Sequence, residues 1–244
     1  MRYKVCISYD GTNYYGFQKQ KDKLTIQSEL ERVLSKIFNE SINVIGCSRT
    51  DRGVHANNFY FHFDTEKEKD TVKLKVSMNK LLSKDIYIKS ISEVSNEFHA
   101  RYSVISKEYI YLIDTGGYNP TLRNIVLEYN KNIDVSKLEE VSKYLIGTHD
   151  FKSFTSDERE NTIRTINYIK FEKDKDILKI RINGNGFLKY MIRNIVGLFL
   201  EINEGIKSVS DVSRILESKD RTKLGKKAES TGLYLNEVNY ERLY

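Results

Sequence analysis

Apolar residues alternate along the first stretch of the chain, so Tyr3, Val5, Ile7 and Tyr9 share one face of an expected strand. Asp10-Gly11-Thr12-Asn13 then supplies turn-forming residues. From Thr25 the period changes. Ile26, Leu30, Val33, Leu34, Ile37 and Phe38 recur at helical spacing, with Glu29, Glu31, Arg32 and Lys36 on other faces. Thr25 is a suitable N-cap, and the pattern predicts a helix to about Asn39. Strands are expected over 42–46 and 58–63, a helix over 72–82, and an alternating strand over 85–94.

The second half opens with a strand over 108–113. Asp134 can cap a helix carrying Val135, Leu138, Val141, Leu145 and Ile146. Strands over 163–171 and 177–182 pair around Lys173-Asp174-Lys175. A long helix is expected over 187–203, a shorter one over 209–216, and a last strand over 233–238. Each half thus has a strand, helix, strand, strand core, without repeated letters. Segregated strands and helices favour an α+β fold: two similar halves, mainly antiparallel sheet, helices on one face. The expected domains are 1–105 and 106–244.

Composition changes this picture little. The 244 residues, 39% hydrophobic and 30% charged, suit a globular protein with a sizeable core. The net charge of +6 raises the odds of a polyanionic partner. Cys6 and Cys47 make no metal or redox motif and read as buried thiols in a reducing, cytoplasmic setting. The four histidines lack metal-ligand spacing. No apolar run reaches the ~18 residues of a membrane span, and residues 1–10 read as a strand, not a leader.

Gly46-Cys47-Ser48-Arg49-Thr50-Asp51-Arg52-Gly53-Val54-His55-Ala56 joins two expected strands. It sets one carboxylate, Asp51, between the cations Arg49 and Arg52, which favour its ionised form. Gly53 can take a positive φ. On physical grounds alone the plainer reading is the stronger one: a hairpin turn in which Asp51 bonds its own backbone and the arginines face water.

The order of motifs along the chain shifts that balance. Ser48-Arg49-Thr50-Asp51-Arg52-Gly53-Val54-His55-Ala56 resembles the signature of the TruA-type tRNA pseudouridine synthases. The segments 9–18, 25–31, 98–103, 149–154, 186–197 and 232–235 resemble that family's other motifs, in the family's order. Met191-Ile192-Arg193-Asn194 is, with the aspartate loop, the most specific of these. Phe17 stands where the family usually has tryptophan, and Ala228-Glu229-Ser230-Thr231 stands where it usually carries proline.

The resemblance implies the pseudouridine synthase fold with a catalytic cleft between two halves. It implies isomerisation of uridine to pseudouridine at positions 38 to 40 of the tRNA anticodon arm, with tRNA as partner, a homodimer as the working form and no cofactor or metal. Asp51 would be catalytic, Arg193 its ion-pair partner, and Tyr109 the aromatic wall for the flipped base. Arg49 and Arg52 would hold RNA, and Leu233 would line the pocket. Arg2, Lys19, Lys21, Lys23, Lys107, Arg159, Arg164, Arg221, Lys223, Lys226 and Lys227 are further candidates for phosphate contact. Three rivals remain: the same chemistry on another RNA such as ribosomal RNA, a non-catalytic RNA-binding module, and a glycoside hydrolase. The last usually needs paired carboxylates, and no second acid stands out near Asp51.

Overall fold

The computed structural model describes residues 1–158 and 160–240. The chain divides into two compact units. The first comprises Met1–Ile105 and the C-terminal strand from Tyr234; the second is Ser106–Leu233. The expected second half, 106–244, therefore loses its last strand to the first unit.

In the first unit, β1 (Arg2–Tyr9) pairs antiparallel with β3 (His55–Asp64) on one side and β4 (Ile86–Val94) on the other. The C-terminal strand β10 (Leu233–Tyr240) runs parallel to β3, with Tyr234 opposite His55. Tyr3, Val5 and Ile7 stand opposite Phe63, Phe61 and Phe59, and all six are buried. Helix α1 (Ile26–Phe38) covers this face, with the Phe38 ring 5.6 Å from Phe63 and 6.5 Å from Tyr3. A reciprocal cap between Thr25 and Ser28 starts α1, and Asn39 ends it in a left-handed conformation at φ 51°. Helix α2 (Thr71–Leu81), capped by Asp70, is tied to β4 by Asn79, whose side chain bonds both backbone groups of Ile88.

The strand expected over 42–46 shrinks to β2 (Ile45–Gly46), beside β3. Ile42 and Val44 are still buried, but their backbone turns to α1 instead of a strand. Glu31 accepts from Val44 N at 3.2 Å, Gln27 donates to Val44 O at 3.0 Å, and Ser35 accepts from Ile42 N. Side chains of a helix thus satisfy the donors and acceptors that a ladder would otherwise take.

In the second unit, β5 (Val104–Asp114), β9 (Ile177–Gly184), β8 (Ile163–Asp174) and β7 (Gly147–Asp150) form an antiparallel series. The short β6 (Leu127–Glu128) runs parallel to β5. Neither β6 nor β7 is visible in the periodicity, because each is too short to show one. The β8–β9 turn is centred on Lys175, at φ 53°, and Asp176, one position beyond the expected one. Helices α3 (Val135–Leu145), α4 (Met191–Asn203) and α5 (Asp211–Ser218) complete the unit. Phe199 of α4 packs 5.6 Å from Phe171 of β8.

Helix α4 begins at Met191, four residues later than the apolar run suggests, because Tyr190 breaks the helix with a φ of 64°. The α+β reading, mainly antiparallel, holds. Among the described residues no helix is long and apolar enough to cross a membrane. Cys6 and Cys47 are buried thiols, as expected.

Candidate active site

Asp51 lies in the loop between β2 and β3, and its side chain is half-buried. The loop does not stand alone. Phe17 N donates to Thr50 O at 3.1 Å, Gly53 N donates to Tyr14 O at 3.3 Å, and Tyr9 Oη sits 2.8 Å from Thr50 Oγ1. Two glycines allow this close wrapping. A Cβ on Gly16, at φ +87°, would lie 2.5 Å from Thr50 O, and one on Gly11 would lie 2.0 Å from Val54 O. Val54 N bonds back to Asp51 O at 3.2 Å, and Gly53 takes φ 76°, which closes the turn. The turn at Asp51 and its bracing by the opening motif are therefore one structure.

The buried His55 follows. Its Nδ1 is 3.1 Å from Asp10 Oδ1 and 3.2 Å from Gly11 N, and its ring stacks on Tyr234 at 4.5 Å. The histidine thus fastens the opening motif and the C-terminal strand to the end of the loop. Arg49 is exposed. Arg52 is exposed too, yet its guanidinium lies over the Tyr15 ring at 4.4 Å, with Lys23 over the same ring at 4.7 Å. Lys23 and Arg52, the residue after Asp51, thus share one aromatic face, a combination suited to a nucleic-acid backbone and base.

In the second unit, Tyr109 is buried on β5, with its ring edge-on to Phe187 at 5.3 Å. Arg193 stands in the first turn of α4. Its Nε donates to Ala228 O at 2.8 Å, and Ala228 N returns a bond to Arg193 O at 3.0 Å. The next residue binds the motifs together: Asn194 Nδ2 donates to Phe154 O at 2.7 Å, while its Oδ1 accepts from Arg221 Nη2 at 3.0 Å. Leu233 is buried at the start of β10, just after Gly232, where a Cβ would sit 2.3 Å from Leu112 O. Asp51, Arg49 and Arg52 thus share one loop of the first unit, and Tyr109 and Arg193 belong to the second.

Several expected phosphate contacts have other employment. Arg2 forms a two-pronged pair with Asp64 and also donates to Phe98 O. Lys19 pairs with Glu31 at 2.9 Å. Arg221 holds Gly225 O and Asn194, so it shapes the 221–228 segment from within. Lys223 and Lys226 are exposed. Arg159 lies outside the described residues. The sequence reading missed the pairing of Ala228 with Arg193, for which a backbone carbonyl leaves no signal. It also missed the left-handed Tyr190, which an apolar run disguises. Among the described residues, no group of three or more His, Cys, Asp or Glu is placed to hold a metal ion.

A family model described as tRNA pseudouridine synthase matches residues 5–103 and 141–241. Asp51, Arg193 and Leu233 fall within these stretches, and Tyr109 falls between them. The chain is similar to tRNA pseudouridine synthase A of Clostridium kluyveri, 42% identical over 97% of this chain and 98% of that one. It is 41% identical to tRNA pseudouridine synthase A 2 of Clostridium tetani, over 97% and 98%. It is 41% identical to tRNA pseudouridine synthase A of Listeria monocytogenes, over 98% and 99%. A solved chain of an H/ACA ribonucleoprotein bound to a substrate RNA containing 2'-deoxyuridine aligns with 95% of this chain and 46% of its own length. At 14% identity and a TM-score of 0.36, that likeness is too distant to bear on function. Matched by the family model through both units, and alike to its relatives along nearly their whole length, this chain belongs to the tRNA pseudouridine synthase family.

Proposed function

We propose that this protein isomerises uridine to pseudouridine in tRNA, at positions 38 to 40 of the anticodon arm, with Asp51 as the catalytic residue. The observation that carries this reading is the bracing of the Asp51 loop by the opening motif through Gly11, Gly16 and Tyr14. Such bracing holds a carboxylate in one geometry, which a binding surface does not need and a reacting group does.

The reaction breaks the bond from N1 to the ribose, turns the base, and joins C5 to the same ribose carbon. N1 gains a proton and C5 loses one, so atoms balance without a redox carrier or nucleotide. Asp51 serves as nucleophile or base at the reacting centre. Arg193 pairs with Asp51 and keeps it charged and oriented, as the resemblance implies. Tyr109 walls the flipped base, Arg49 and Arg52 hold the RNA near Asp51, and Leu233 lines the pocket. The enzyme acts as a cytoplasmic homodimer on one tRNA.

The test is tritium release from tRNA transcripts carrying 5-tritiated uridine, with wild type beside Asp51→Asn. Release that needs Asp51 supports the reading. Release from ribosomal RNA and not from tRNA moves the substrate, and release from neither leaves an RNA-binding module. Light scattering after size exclusion tests the dimer.

A further inference from the structure

The turn before α4 carries a tyrosine where the backbone favours another residue. Met191 N donates to Leu188 O at 3.0 Å, and Tyr190 is the third residue of that turn, at φ 64° and ψ 2°. Turns place glycine or asparagine in this left-handed conformation, because a bulky side chain crowds its own backbone there. Tyr190 gives α4 no side-chain cap in return. Strain kept at one position implies that the side chain contributes something a relaxed residue would not.

What the ring contributes is a face for cations. Lys227 Nζ lies 3.5 Å from its centroid, Lys189 Nζ 5.1 Å and Arg193 Cζ 5.6 Å. The ring quadrupole attracts each of them and offsets their mutual repulsion. Lys227 is followed directly by Ala228, whose carbonyl accepts from Arg193 Nε at 2.8 Å. One short segment therefore rests on the ring through Lys227 and on the guanidinium through Ala228. Gly197 admits that segment to the helix, since a Cβ there would lie 2.0 Å from Lys226 O.

We infer that Tyr190 is a positioning residue for Arg193: its ring anchors the Lys227–Ala228 segment and one side of the guanidinium, and so fixes the direction in which Arg193 acts. This rests on the reading of Arg193 as the partner of the catalytic aspartate.

Steady-state kinetics on an unmodified tRNA transcript separate the possibilities, with Tyr190→Asn, Tyr190→Phe and Arg193→Ala beside wild type. Asparagine suits the turn and removes the ring; phenylalanine keeps both ring and strain. Tyr190→Asn is expected to lower kcat about tenfold, as when a positioned group is loosened, with KM unchanged. Tyr190→Phe is expected to retain the wild-type kcat. If Tyr190→Asn does not melt cooperatively, Lys227→Met, which releases the same segment from the ring, takes its place with the same expected loss. Wild-type kcat in the ring-deleted variant, beside an inactive Arg193→Ala, overturns the inference and leaves the role of Arg193 standing. Equal losses in the Asn and Phe variants overturn it, as does a rise in KM alone, which would make Tyr190 an RNA contact. Full activity in Arg193→Ala removes both readings.

Discussion

Gly16 and Thr50 touch so closely that a single methyl group would not fit: a Cβ on Gly16 would come within 2.5 Å of the Thr50 carbonyl oxygen. Thr50 immediately precedes Asp51, so this contact sets where the carboxylate begins. Gly16→Ala is therefore expected to lower kcat about tenfold or more through displacement of the loop. It should also cost roughly 1–3 kcal/mol, because φ +87° strains any residue with a Cβ. Chemical denaturation and turnover on the same preparation check both effects; a fully active, equally stable variant would detach the opening motif from the site.

Asp51→Asn should reduce turnover about a thousandfold or more, the scale of removing an acid–base or covalent participant. Its tRNA affinity should remain near wild type, because the RNA contacts proposed for Arg49 and Arg52 are untouched. Gel shift and tritium release, read together, distinguish lost chemistry from lost binding.

On the proposed role of Arg193, Arg193→Ala should cut kcat about a hundredfold or more, the scale of losing a group that orients a reacting one. Arg193→Lys should recover little of it, because a lysine has no second branch with which to keep Ala228 O while reaching an anion. Near wild-type kcat in Arg193→Ala would take this residue out of the reaction.

A stability test lies on β5. Glu108 is fully buried and binds Arg181 through both oxygens, at 3.0 and 3.1 Å, while Tyr168 donates to Oε2 at 2.6 Å. The carboxylate raises the Arg181 pKa, chiefly through the hydrogen bond between them. Glu108→Ala should cost about 2 kcal/mol or more, since Arg181 and Tyr168 lose a common acceptor. Glu108→Gln should cost less, as it keeps an oxygen for Tyr168. Urea titration monitored by circular dichroism measures the difference.

Acid sensitivity is expected at His62. Burial, then the positive charges of Arg2 and His99, depress its pKa from 6.5 to about 4. Its Nδ1 accepts from Ala100 N at 3.1 Å, so the neutral ring is the folded form. Between about pH 6.5 and 4 the unfolded chain binds a proton that the folded chain refuses, so stability falls as pH falls, by up to about 1.4 kcal/mol per pH unit. His62→Gln should flatten that limb. Unfolding free energies measured across this window check it, and an unchanged slope would assign the effect elsewhere.

The sequence by itself determined the local elements and the chemistry-bearing motifs. The period-2 run of Tyr3, Val5, Ile7 and Tyr9 became β1, and the helical run from Ile26 became α1 with Thr25 as its cap. These are short-range consequences of burying one face of a strand or helix, and the residues that bear them are neighbours in the chain. The Asp51 and Met191–Asn194 motifs are likewise contiguous, so their resemblance to a family was legible as text. Tertiary structure decided what depends on distant backbone. Residues 42–44 look like a strand, but Gln27 and Glu31 of α1 take their hydrogen bonds. Tyr190 looks helical, but it closes a left-handed turn under Lys227. The last strand returns to the first unit, because Tyr234 and Leu235 find their pairing partners at His55 and Ala56. Arg2 and Arg221 read as candidates for phosphate contact, and only the fold supplies their intramolecular partners, Asp64 and Asn194. Local pattern records which face is apolar; it does not record which distant carbonyl, carboxylate or ring will satisfy a given donor.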